Sequence, residues 1–291
     1  MPTSFQKRLP SLPIILISLF IAAIGIGCGG GGGGAPAPVD QDASGLYNGA
    51  GTGIFTGVNS SNEIILTNVK GIVDGTRFMF FNADSSNVDS NVLFDGQINS
   101  ITGTNFVGSA TVYQGGRLAS TAVQVTGTVN SRSQIQLTFA TASNGNFVSG
   151  TVNGTFSDEY DKAAKFEKIE ILIPPDWGES NQQDIFFSIN DMTVESLKAR
   201  ESDKSYRMES TKTPTTIFCT HSGSVEISAS GKNVYVLSDE SIIDFTVPCT
   251  GLANTVGYSG FLTVVDGSNV DDTLWYVVSN GMFSTFTILT R

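Results

Sequence analysis

The cysteines Cys28, Cys219 and Cys249 and the single histidine, His221, are the first candidates for covalent or transition-metal chemistry in this 291-residue chain. Their spacing fits no common constellation. Cys219 and Cys249 do not form a Cys-x-x-Cys pair, and His221 stands two residues after Cys219 with no second histidine to complete a zinc set. A serine triad would have to use His221. We expect His221 instead to be an exposed polar residue on or beside a strand. Acids gather at Asp84/Asp89 and at Asp266/Asp271/Asp272, in stretches rich in Asn, Ser and Gly. Calcium takes oxygen ligands of this kind, but neither stretch has the spaced acids and central glycine of a calcium loop, so solvated loop acids are expected. Lys198, Arg200, Lys204, Arg207 and Lys212 form a basic strip interleaved with Glu201, Asp203 and Glu209. A mixed, wet strand pair is the expectation there rather than an anion site. No carboxylate pair is nominated for glycoside hydrolysis. The expectation is therefore of no catalytic residue, no metal ligand and no cofactor. A His221-dependent hydrolase is the enzymatic alternative.

Cys28 belongs to a different kind of pattern. Lys7 and Arg8 precede an apolar run from Ile14 to Ile26, broken only by Ser18 and Gly25, and small residues follow at Gly25 and Gly27. That is the layout of a secretory signal. The run is 13 residues long, short of the roughly 20 that a spanning helix needs. Ile26-Gly27-Cys28 resembles the lipobox of bacterial lipoproteins, with Gly25 where that family usually has Leu. The resemblance implies cleavage before Cys28, followed by acylation of its thiol and its new amino group. Multiple acyl chains would hold the protein stably, at about 0.8 kcal/mol per buried CH₂. Gly29 is not the Asp associated with inner-membrane retention, so the outer membrane is the expected location, on its periplasmic or its exterior side. Cleavage after Gly27 without lipidation, and an uncleaved anchor, are the alternatives. With Cys28 lipidated in a compartment that permits disulfides, Cys219 and Cys249 are expected to pair.

The segment behind Cys28 reads as a tether. Six glycines, Ala35-Pro36-Ala37-Pro38 and Val39-Asp40-Gln41-Asp42 follow in turn. As a coil, the 16 residues from Gly29 to Ser44 would span roughly 20–24 Å. No Gly-Lys-Ser/Thr ends the glycine run, so it is not a phosphate loop. The whole chain carries −11. Residues 1–27 hold two bases and no acid, so the remainder carries −13. Such a body lacks the basic face that nucleic acid requires. Charged residues are 15% of the chain, below the usual quarter, and Ser, Thr, Asn and Gly fill the polar positions. Strands favour Thr, and turns favour Gly and Asn.

From Gly45 the pattern is strand after short strand. Segments are expected near 45–56, 63–70, 71–82, 91–101, 104–114, 117–130, 133–142 and 146–157. Ile135, Leu137 and Phe139 share one face. Val148, Gly150, Val152, Gly154 and Phe156 share another, as do Ala119, Thr121, Val123, Val125 and Val129. One buried and one wet face is the antiparallel signature. Asp74-Gly75, Gly115-Gly116 and Asn144-Gly145 are hairpin dipeptides. Ser/Thr-Gly recurs at Thr102-Gly103, Thr126-Gly127 and Ser149-Gly150, where glycine within a strand suggests barrel corners. Phe78-Met79-Phe80-Phe81 is expected to serve two packed layers. Ser157 to Lys168 reads as a boundary that starts with a capped helical turn. Beyond it, Val225, Ile227 and Ala229 alternate with polar residues, as do Ile243, Phe245 and Val247, and strand-like runs follow at 258–265, 274–278 and 283–289. Trp177, in a Pro-Pro-Asp-Trp-Gly loop, is the candidate contact surface.

Asp158-Glu159-Tyr160-Asp161, Cys219-Thr220-His221-Ser222-Gly223, Lys232-Asn233-Val234-Tyr235, Cys249, Tyr258-Ser259-Gly260, Asp272-Thr273-Leu274 and the closing Leu289-Thr290-Arg291 look like a group of uncharacterised Gram-negative lipoproteins. Those also carry a glycine run after the lipid cysteine. More loosely, the first half is similar to the β-barrel modules of transferrin-binding-protein-like surface lipoproteins. Neither likeness implies an active site. The expected fold is all-β, with two tandem antiparallel up-and-down barrel-like (or sandwich-like) domains. The expected divisions are 1–27 signal peptide, 28–44 lipidated cysteine and tether, 45–161 first domain and 162–291 second. The expected role is that of a lipid-anchored envelope β-protein that binds a protein or small-molecule partner, or builds structure. A lipocalin-like carrier of a small apolar ligand is the alternative.

Overall fold

The computed structural model describes residues 39–290 except 57–60, 83–89, 142–144, 170–177, 180–191, 201–203, 213–216 and 245–254. Among the described residues there is no α-helix, and the chain is all-β. The first eight strands are β1 (Gly45–Thr56), β2 (Ser61–Asp74), β3 (Arg77–Asn82), β4 (Val92–Thr102), β5 (Asn105–Gln114), β6 (Arg117–Asn130), β7 (Gln134–Ala140) and β8 (Phe147–Ser157). Each pairs antiparallel with the next, and β8 returns to β1, so the sheet closes as an up-and-down barrel. Closure leaves no unpaired edge. Two short 3₁₀ turns, Asp158–Asp161 and Phe166–Lys168, follow. The first is capped by Ser157, whose Oγ accepts from the Glu159 N–H.

A second antiparallel sheet holds β10 (Met192–Arg200), β11 (Ser205–Lys212), β12 (Ile217–Ile227), β13 (Tyr235–Asp244), β14 (Thr255–Val265), β15 (Thr273–Ser279) and β16 (Ser284–Thr290) in sequence order. The two-residue β9 (Gly178–Glu179) pairs with both β10 and β16 and joins the sheet's ends.

An eight-stranded barrel has an interior just wide enough for side chains to fill, and here phenylalanines fill it. Phe94 stacks on Phe139 at 4.2 Å between ring centres, and Phe147 and Phe78 meet them edge-on. Rings of this size need room on the neighbouring strand. Gly71 lies opposite Phe80 and Gly96 opposite Phe78. A methyl group at Gly71 would lie 2.2 Å from the Phe80 ring, and one at Gly96 would lie 2.3 Å from the Phe78 ring. Glycine inside these strands is thus the seat of a cross-strand ring. The expected alternation holds without a slip in β7, where Ile135, Leu137 and Phe139 are buried between exposed neighbours.

Several expectations need correction. The break between β2 and β3 falls at Asp74-Gly75, where Gly75 adopts φ +59°, and not at residue 70. Gly103 lies in a turn at φ +61° rather than within a strand. Phe147 and not Val148 faces the barrel interior, because the β1–β8 register shifts between Ile54 and Phe55. Thr121 is exposed, since β6 bulges at Ala122, a non-glycine residue at φ +53°. In the second sheet Ser228 is buried and Ala229 exposed, the reverse of the alternation read there. The basic strip does form the hairpin β10–β11, with Lys198 opposite Arg207, and Lys204 pairs with Glu226 at 2.7 Å.

Phe78-Met79-Phe80-Phe81 serves two layers as its pattern suggests. Phe78 and Phe80 point into the barrel core. Met79 and Phe81 join Leu46, Ile72 and Leu93 in a core shared with Phe261, Trp275, Val277, Phe286 and Ile288 of the second sheet. β15 has the same logic: Leu274, Tyr276 and Val278 enter the second sheet's own core, while Trp275 and Val277 face the barrel. Strands buried on both faces read as unbroken apolar runs. Both sheets belong to one compact unit, 38–291.

Candidate functional site

The seam between barrel and second sheet concentrates the polar chemistry among the described residues. Backbone bonds tie it at two places. The Leu118 N–H donates to the Met282 carbonyl and the Ser284 N–H to that of Gly116, each at 3.0 Å, while the Asn233 N–H donates to Tyr160 O at 3.1 Å. Charged side chains then line the seam. Arg77 grips Asp95 through Nε and Nη2 at 3.3 and 3.2 Å, and donates to Ser259 Oγ and O at 3.1 Å each. Ser279 Oγ donates to the same carboxylate, and the guanidinium lies over the Phe261 ring. One ion pair from the barrel is thereby satisfied by two strands of the second sheet, the fork geometry in which arginine exceeds lysine. A cleft of about 430 Å³ opens above it.

On another stretch of the seam, a cleft of about 300 Å³ is lined by Asn48, Asn68, Lys70, Ser157 and Trp275, with Glu159 and Asp266 also on its wall. Lys70 Nζ donates to Asn48 Oδ1 at 2.8 Å and sits 5.3 Å from the centre of the Trp275 ring. Burial pushes the Lys70 ammonium below the ordinary lysine value. Lys162 holds both wall carboxylates, at 2.7 Å from Glu159 and 2.5 Å from Asp266. Sequence reasoning passed over Lys70, Arg77 and Asp95. A signal existed, because each charge abuts an apolar run: Val69-Lys70-Gly71-Ile72-Val73, Leu93-Phe94-Asp95, and Arg77 at the head of Phe78-Met79-Phe80-Phe81.

In the acidic loop 266–272 Asp266 is exposed, as expected of a loop acid, but Asp272 is not the solvated group expected. Asp272 is buried and accepts from the Gly267 and Asn269 N–H groups at 2.6 Å each, and from Thr273 Oγ1 at 3.0 Å. Asp271 is paired with Lys168 at 2.8 Å. The loop's carboxylates serve its own backbone and the 3₁₀ segment. Burial alone would raise the Asp272 carboxyl; the hydrogen bonds from Asn269, Thr273 and Gly267 overcome it and hold the group below its ordinary value of 3.8. A carboxyl depressed on folding adds stability that is complete above its unfolded value and is lost as pH falls through the folded one. Asp272→Asn should therefore flatten the acid limb of a Tm–pH curve below about pH 4. Superimposable acid limbs for the two proteins would refute this.

His221 is also corrected. It lies on β12 as expected, but it is buried, with Nδ1 3.0 Å from the Tyr276 hydroxyl inside the second sheet. Polar contact with an inward tyrosine keeps it there, since a buried imidazole needs partners. Among the described residues, no three His, Cys, Asp or Glu side chains come together as a metal set. Of the other sequence candidates, Cys28, Trp177, Cys249, Asp84 and Asp89 lie outside the described residues. Cys219 is in β12, opposite Ser210 and Asp244. No family model, curated protein or solved structure matches this chain.

Proposed function

We propose that this is a lipid-anchored cell-envelope protein. In this reading Cys28 carries acyl chains at the outer membrane, and two tandem barrel-like domains, 45–161 and 162–291, bind a partner or build structure rather than catalyse. The observation that carries it is the order of parts at the N-terminus. A charged start, an apolar run and Gly25-Ile26-Gly27-Cys28 lead through glycines to a segment fastened to the barrel. There the Gln41 N–H donates to Gly103 O at 2.9 Å, Asp40 Oδ1 accepts from the Gly103 N–H at 2.8 Å, and the Asp42 N–H donates to Ser131 Oγ at 2.8 Å. Residues 40–42 thus fasten to the barrel at the end bearing the β4–β5 and β6–β7 turns.

The phenylalanine-filled barrel interior favours a contact role over that of a carrier holding an apolar ligand there. Cys219 and Cys249 are proposed to form a disulfide; closing a loop of about 30 residues contributes about 3–4 kcal/mol in the chain-entropy model. Cys28→Ser is expected to move the protein from the membrane pellet to the soluble fraction, and mass spectrometry of the wild-type N-terminus should find an acylated cysteine. A soluble wild-type protein whose mature chain begins with an unmodified Cys28 would overturn the proposal.

A further inference from the structure

Lys70 is half-buried, and none of the described carboxylates pairs with it. Its ammonium spends one N–H on Asn48 Oδ1 and rests on the Trp275 ring. Among the described residues the other two N–H groups meet no acceptor. A cation withdrawn from water without an anionic partner is costly, and proteins keep one where something pairs with it. Glu159 and Asp266 share this cleft, yet both are bound to Lys162 instead. Ser157 Oγ accepts from the Glu159 N–H, so its own hydroxyl hydrogen remains to be given. The Asn48 and Asn68 side chains line the same wall.

We infer that this cleft is a binding site for a small molecule that carries one carboxylate and several hydroxyls, a sugar acid in class. The carboxylate meets the Lys70 ammonium over Trp275, and the hydroxyls meet the amides of Asn48 and Asn68 and the hydroxyl of Ser157. Doubling the ligand charge scales attraction to Lys70 and repulsion from Glu159 and Asp266 alike, but the cost of desolvating the ligand grows as the square of its charge, which favours a monoanion over a phosphate dianion. The depressed Lys70 ammonium agrees with a cation lacking its partner, since a bound anion favours the charged form.

This inference gives a ligand class to the binding role proposed above and is independent of the anchor. The experiment is isothermal titration of the full chain in detergent micelles with D-glucuronate, with glucose and inorganic phosphate run in parallel. Saturable heat is expected with glucuronate and not with glucose, with phosphate weaker. Lys70→Met should lower glucuronate affinity about tenfold or more, and Lys70→Arg should restore part of it. NMR of ¹³C-methylated lysines provides the second readout: saturating glucuronate should raise the Lys70 titration midpoint in the wild-type protein. Absence of glucuronate binding, binding unchanged in folded Lys70→Met, equal binding of phosphate, or an unmoved Lys70 midpoint would each overturn the inference. Any of these would leave the Cys28 fractionation result untouched, so the two failures can be told apart.

Discussion

Phe94→Ala should destabilise the protein by about 3–5 kcal/mol, the range for deleting a fully buried phenylalanine. Phe94 is buried in the centre of the first barrel, and its ring stacks on Phe139 and meets Phe147 edge-on. Removing it forfeits the transfer free energy of the ring, opens a cavity, and deletes aromatic contacts worth about 0.5–1.5 kcal/mol each beyond area. Closed strands limit how far the walls can relax into the hole. Urea unfolding followed by near-ultraviolet circular dichroism measures the loss through the shift in midpoint at constant slope. The outcome also bears on function. A barrel that carried an apolar ligand would have spare volume around Phe94, and truncation would cost less than about 1 kcal/mol. A loss that small would revive the carrier reading.

Much of the first barrel was legible because its signals are local. Hairpin dipeptides and period-two alternation mark strand ends and faces, and β7 obeys the alternation without exception. The second-layer role of Met79 and Phe81 was legible too, since four apolar residues in a row, Phe78 to Phe81, leave no polar face. The errors cluster where a non-local event shifts the register. Nothing in Ala122 or in Val148-Ser149 announces a bulge, yet one extra residue moves every later side chain to the opposite face. His221 was misjudged for a related reason. Its face is set by which strand lies inside, and its burial is tolerated because Tyr276, 55 residues away, supplies a polar contact. The seam was the largest omission. Arg77 and Asp95 stand out as charges abutting apolar runs, but the residues that satisfy them, Ser259 and Ser279, are indistinguishable from any surface serine until the sheets meet.

That seam supports the second large effect. Phe286 of β16 is fully buried and meets Phe81 of β3 at 5.0 Å between ring centres, so each is core to the other's sheet. Around them lie Ile72, Leu93, Val277 and Ile288. If this third core couples the sheets, neither can unfold without exposing the other's outer face, and the described body behaves as one cooperative unit. Phe286→Ala should then cost about 3–5 kcal/mol, and native-state hydrogen exchange should show the loss equally in two distant places. One is β7, on the barrel wall and outside this core; the other is β15, in the second sheet. The amides of β7 touch nothing that the substitution removes, so their protection can fall only through global opening. Loss of protection confined to β13–β16, with β7 unchanged, would instead mean that the sheets open separately. The barrel's stability would then owe nothing to the seam, and the Arg77–Asp95 grip on Ser259 would be a contact between independent folding units.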